Sequence, residues 1–180
     1  MLFRSVAHVF QVERIHILCE SDKDPVFIKA QHLSEDWKIN FHSLDRRMRY
    51  KDAFQYASNH LLHKNVMIMN ADCYVDKGFE QLDERILNNK TMYALTRRET
   101  PENVHLCNVK DFCGQNRKFI FSFDAFLFRP LAPVPSLLLD NIDYRPNILG
   151  VEAVVIFNFQ KYGGFQTKNP YRIQIGRAHV

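Results

Sequence analysis

Asn65-Val66-Met67-Ile68-Met69-Asn70-Ala71-Asp72-Cys73-Tyr74-Val75-Asp76 is the stretch on which the reading of this chain turns. Asn65 to Met69 is a continuous apolar run without polar alternation, which predicts a strand covered on both faces, as in a parallel sheet. Asn70, Ala71 and Asp72 follow at its carboxyl end. Ligands of open α/β sheets bind outside such ends. A carboxylate there is placed to hold a hard divalent cation, which keeps a few protein oxygens and completes its shell with water and phosphate. Ala71 is small enough to let a ligand approach, and Asp76 is the expected N-cap of a following helix. The simpler alternative is that Asn70 and Asp72 only make a turn and cap that helix.

Outward from this strand, β-like and helical patterns alternate. Glu13 to Cys19 reads as a strand closed by the turn residues Glu20 to Asp24 and by Pro25, and Lys38 to Leu44 as a second. Tyr50 to His63 spaces Ala53, Phe54, Ala57, Leu61 and Leu62 as an amphipathic helix. Phe79 to Leu87 predicts another helix, Thr91 to Leu95 a strand, and Phe119 to Phe128 an aromatic strand. Asp140 to Gly150 reads as a loop, Glu152 to Tyr162 as a helix ended by Gly163 and Gly164, and Phe165 to Ile175 as extended. The pattern predicts an α/β domain with a mainly parallel mixed sheet flanked by helices.

Composition bounds the function. The chain has 180 residues, 46% hydrophobic and 24% charged, with a net charge of +4. That is the profile of one globular domain. The positive surplus sits in short clusters, Arg46, Arg47, Arg49 and Arg97, Arg98. A nucleic-acid binder shows a stronger stripe, so nucleic acid is not expected, and these arginines suit either a small phosphorylated ligand or solvated surface. Cys19, Cys73, Cys107 and Cys113 lack zinc-site spacing; Cys19 and Cys73 read as buried thiols, and a Cys107–Cys113 bridge stays open. No run approaches the roughly 20 apolar residues of a membrane span. The chain reads as a soluble domain, of the cytoplasm or of the secretory-pathway lumen alike. His42, His60 and His63 show no paired ligand spacing and read as surface or helix residues, as does His32.

Several stretches in order resemble a group of GT-A-fold glycosyltransferases. Asn70-Ala71-Asp72 with Tyr74 and Asp76 is similar to that group's "N-A-D-I-x-x-D" form of the DxD motif. Tyr93-Ala94-Leu95-Thr96-Arg97-Arg98-Glu99 resembles its "ALTRY" strand, and Ser122-Phe123-Asp124-Ala125-Phe126-Leu127-Phe128 its "S-x-D-A-W-I-F" strand. Leu149-Gly150-Val151-Glu152 resembles "L-G-x-x-x-x-(D/E)-N", Gly164-Phe165 with Asn169-Pro170 resembles "G-(F/Y)-x-V-x-N-P", and Arg47-Met48-Arg49-Tyr50 resembles an "R-x-x-Y" helix opening.

The resemblance implies a Rossmann-like GT-A fold and metal-dependent transfer of a sugar from a nucleotide-diphosphate-sugar donor to a hydroxyl of a glycan or other acceptor. It implies that Asp72 ligates Mn²⁺ or Mg²⁺ and that Asn70 bonds the donor ribose or assists the metal shell. Arg47 and Tyr50 would lie on the nucleotide side, Asp124 would face the acceptor, and Glu152 would bind the acceptor or act as general base. For Arg47 the alternative is an exposed helix-start arginine, for Asp124 a buried structural hydrogen bond, and for Glu152 a first-turn carboxylate favoured by the helix dipole. The chain departs from the group at Ala153, where the pattern has Asn, and at Phe126, where it has Trp.

The expected domain spans 1–174 and lacks the group's first strand and its C-terminal "H-x-H" segment. The string at 175–180 reads as translated sequencing adapter, which makes His179 a false ligand. Two other classes are carried: a non-catalytic or truncated GT-A-like protein that binds nucleotide or a partner, and a nucleotidyltransferase, which needs a Gly-rich basic loop near the N-terminus.

Overall fold

In a computed structural model of the chain, the described residues are 12–29, 36–82, 84–98, 123–169 and 173–177. Their elements in order are β1 (Ile15–Cys19), α1 (Lys23–Lys29), β2 (Ile39–Ser43), α2 (Tyr50–His60), β3 (Val66–Met69), β4 (Cys73–Val75), α3 (Glu84–Asn88), β5 (Thr91–Leu95), β6 (Arg97–Arg98), β7 (Ala125–Phe128), α4 (Ser136–Asn141), α5 (Val151–Gly163), β8 (Gln166–Lys168) and β9 (Ile175–Arg177). Short 3₁₀ turns stand at Asp36–Lys38 and Phe79–Gln81. The chain is α/β, as expected.

The centre is a four-stranded sheet in the order β3-β7-β5-β8. Its alternation explains the apolar run that opened the sequence reading. Val66, Met92, Ala94, Phe126 and Phe128 face one layer, where Phe54 of α2, Leu138 of α4, and Val155 and Phe159 of α5 complete an aromatic core. Tyr93, Leu95, Ala125 and Leu127 face the other layer with Leu87, Ile173 and Ile175, and Met67 and Met69 pack at its margin. Both faces are covered, so neither needs polar residues.

The parallel share of the sheet is smaller than the sequence suggested. β7 runs antiparallel to both β3 and β5, and only β5–β8 is parallel. An apolar run reports burial on two faces, not strand direction, so the expectation had no means of separating the cases. β1 and β2 form a separate parallel pair, and β4-β9-β6 a small mixed sheet. β9 begins where the expected domain boundary was drawn, and Ile175 is fully buried.

Local differences have local causes. Asp76 is not a helix cap: its N–H donates to the Gln174 carbonyl, and Gly78, at φ 95°, precedes the 3₁₀ turn. The expected helix at 79–87 is broken into this turn and α3. The turn expected at Glu20 to Pro25 opens α1, since Asp24 accepts the Glu20 and Ser21 N–H groups and Pro25 sits in the first turn, where its missing N–H costs nothing. α4 lies in the Pro-rich stretch after β7, with Pro135 as its N-cap. Cys19 and Cys73 are buried free thiols; Cys107, Cys113, His32 and His179 lie outside the described residues. No helix among the described residues is long and apolar enough to cross a membrane.

Candidate active site at the end of the central sheet

β3 and β5 both run antiparallel to β7, so their carboxyl ends and the amino end of β7 share one edge. That edge collects Asn70 after β3, Arg97 after β5 and Asp124 before β7. The backbone ties them together: Asn70 N–H donates to the Asp124 carbonyl at 2.9 Å, and Asp124 N–H donates to the Leu95 carbonyl at 2.9 Å. α2 and α5 begin at the same end, carrying Tyr50 and Glu152. Gly150, at φ 84° with open space around it, turns the chain into α5 in a conformation that side chains resist.

Asp124 is the hub. Its side chain is only 3% exposed, and Arg97 Nη1 donates to its Oδ1 at 2.8 Å. Asn70 Nδ2 donates to the same oxygen at 3.1 Å, and the Arg97 N–H reaches Oδ2 at 3.4 Å. A carboxylate buried between Phe123 and Phe126 requires such partners, because an unpaired charge there costs several kcal/mol. Burial disfavours the Arg97 charge, but the carboxylates of Asp124 and Asp72 outweigh it and raise its pKa above the ordinary value.

Glu152 and Tyr50 form the second half. Tyr50 is buried edge-on to Phe126 and donates its hydroxyl to Glu152 Oε1 at 3.5 Å. Burial, then the negative charge of Asp124, raises the Glu152 pKa. Burial also raises that of Tyr50, with Glu152 adding to it, so the phenol stays protonated and donating.

Asp72 is half-buried in the turn between β3 and β4. The Cys73 thiol donates to its Oδ1 at 3.8 Å, and burial together with Asp124 and Asp72 pushes that thiol up to about 12. Among the described residues, no three His, Cys, Asp or Glu side chains come together to hold a metal ion. Asp124 already faces Arg97. The donor set is therefore no protein cage for a metal. It fits only a hard ion that takes one carboxylate, Asp72, and draws the rest of its shell from phosphate and water.

Of the expected site residues, Asn70, Asp72, Asp124, Tyr50 and Glu152 lie at one end of the sheet. Arg47 is exposed ahead of α2, and no hydrogen bond or ion pair links its guanidinium to this cluster among the described residues. The arginines offered to a phosphorylated ligand are largely engaged within the protein: Arg46 pairs with Asp52, Arg49 with Asp143 and Arg97 with Asp124. Arg97, offered by the sequence to a phosphorylated ligand, and Cys73, read there as a buried thiol, join the cluster instead; the signal for Arg97 was its place just after the strand at Thr91–Leu95. Comparisons with protein-family models, characterised proteins and solved structures returned no match to this chain.

Proposed function

We propose that this chain is a metal-dependent glycosyltransferase of the GT-A kind, transferring a sugar from a nucleotide-diphosphate sugar to a hydroxyl acceptor. The observation that carries the reading is the convergence of Asn70, Asp72, Asp124 and Glu152 at the sheet edge where α2 and α5 also begin. Helix N-termini favour an anionic ligand, and a diphosphate leaving group is one.

In this reading Asp72 holds Mn²⁺ or Mg²⁺, which supplies charge neutralisation for the departing diphosphate. Asn70, held by Asp124, borders the donor. Glu152 takes the proton of the acceptor hydroxyl while that oxygen bonds to the anomeric carbon and the carbon–oxygen bond to the nucleoside diphosphate breaks. A carboxylate whose pKa is raised by burial is a better base for this step than a solvated one. Tyr50 orients it through its hydroxyl.

A second reading, a GT-A-like protein that binds nucleotide without transfer, draws support from the ion-paired state of Asp124 and from Ala153. Incubation with a panel of nucleotide-diphosphate sugars and Mn²⁺ separates the two. Release of nucleoside diphosphate that disappears in Glu152→Gln supports transfer. Metal-dependent binding without release leaves the non-catalytic reading, and absence of both overturns the proposal.

A further inference from the structure

Away from the sheet edge, an unusual seam joins the β1–β2 pair to α2. The parallel register sets His16 opposite Asn40 and Leu18 opposite His42. With a side-chain period of two, His16 and His42 leave the same face as diagonal neighbours. α2 packs on that face and presents Tyr56, with His60 one turn further on and its ring 4.6 Å from the Tyr56 ring. A strand face covered by a helix is normally aliphatic, yet here two imidazole nitrogens of the strands and a phenol oxygen of the helix meet at one point.

His16 Nδ1 and His42 Nε2 are 3.2 Å apart, and Tyr56 Oη lies 2.9 Å from the first and 2.7 Å from the second. Three ligands bound at about 2.1 Å to one metal ion stand about 3.0 Å apart at right angles and about 3.4 Å apart in a tetrahedron. The observed edges, from 2.7 to 3.2 Å, lie near the right-angle spacing and short of the tetrahedral one, so small side-chain shifts bring the three atoms to positions of a single coordination shell. Without an ion, one imidazole N–H donates to the Tyr56 oxygen and the phenol donates to the other imidazole; with an ion, the first imidazole takes its other tautomer and all three atoms turn lone pairs to the metal. Burial, then His42, Arg14 and His60, lowers the His16 pKa, and burial, then His60, lowers that of His42, which favours the neutral form that binds metal.

We propose that His16 Nδ1, His42 Nε2 and Tyr56 Oη form a binding site for a late first-row divalent cation, Zn²⁺ or Cu²⁺. Imidazole selects these ions over Mg²⁺ and Mn²⁺, so the site is separate in place and chemistry from Asp72. The phenol proton leaves to buffer as the oxygen joins the ion.

Titration of the chain with Zn²⁺ and Cu²⁺ tests this, with Tyr56→Phe and the double variant His16→Asn, His42→Asn. One equivalent of Zn²⁺ is expected to bind, at least about tenfold more weakly in each variant and unchanged in Asp72→Ala. Bound Cu²⁺ is expected to give a phenolate-to-copper charge-transfer absorption that vanishes in Tyr56→Phe, a variant that keeps the ring and hence the packing. Equal affinity in all variants would assign binding to other histidines and overturn the site, as would no binding in the wild-type chain.

Discussion

The Arg97 guanidinium donates to the Asp124 carboxylate at 2.8 Å, joining the exit of one central strand to the entry of its antiparallel neighbour. Asp124 is nearly inaccessible while Arg97 is partly open, so the pair is more sensitive to losing the arginine than the carboxylate. Arg97→Met removes the charged partner of a buried carboxylate, and is expected to cost about 3 kcal/mol in urea unfolding. Asp124→Asn is expected to cost less. The reverse order would show that the ion pair is not what holds this edge.

Glu152 offers a separation of stability from activity. Its folded pKa lies above the unfolded one, so the stability linked to its protonated form is present below the ordinary glutamate value and lost as pH rises through the folded pKa. Glu152→Gln, which keeps an acceptor for Tyr50, is expected to match or exceed the wild type in thermal stability at pH 7. The advantage disappears below about pH 4.3. Sugar transfer is expected to fall by roughly 10²–10⁴-fold in the same variant. A destabilised variant would mean that Glu152 is primarily structural.

The His16–His42 pair gives a dependence of the opposite slope. Both folded pKa values are lowered by burial, and the cations facing them are Arg14 from β1's approach and His60 from α2. Above about pH 6.5 both states are neutral and the stability is complete; below that the unfolded chain binds protons first, so stability falls as pH drops towards the folded values. Thermal unfolding in metal-free buffer should show the decline between pH 7 and 5. The double variant His16→Asn, His42→Asn should flatten it.

Cys73 is fully buried, with its thiol pushed up to about 12. Iodoacetamide at pH 8 reacts with thiolate, so native protein should leave Cys73 unmodified and unfolded protein should not. Peptide mass spectrometry reads the site directly. Rapid native labelling of Cys73 would contradict its packing behind Asp72.

Phe54 stands at the meeting of α2, the central sheet and α5, against Phe126, Phe128 and Phe159. Phe54→Ala is expected to cost about 3–5 kcal/mol in chemical denaturation, the range for a buried aromatic ring. A cost under about 1 kcal/mol would mean that the layer recloses around the gap.

Periodicity and punctuation carried the strands at 66–69 and 91–95 and the helices α2 and α5, because each buries a face and ends on a polar or glycine stop. They did not carry α4, where Pro135 looks like a loop residue but starts a helix, nor the break at Leu82 between the 3₁₀ turn and α3. The candidate site was legible as single residues at strand ends. Its wiring was not: Arg97 and Asp124 are 27 positions apart and meet only through the antiparallel register. The same holds for His16, inside an expected strand, and His42, which sequence spacing read as a surface or helix residue. Pairs made by strand register leave no local spacing signal. Arg47, by contrast, followed its exposed alternative.

Calorimetric titration of the chain with UDP and GDP, in Mn²⁺ and then in chelator, tests the central claim most directly. The account predicts binding of at least one of these nucleotides with Mn²⁺, its loss in chelator, and at least a roughly tenfold weakening in Asp72→Ala. Binding that is indifferent to the ion and to Asp72, or no binding of either nucleotide, would contradict it.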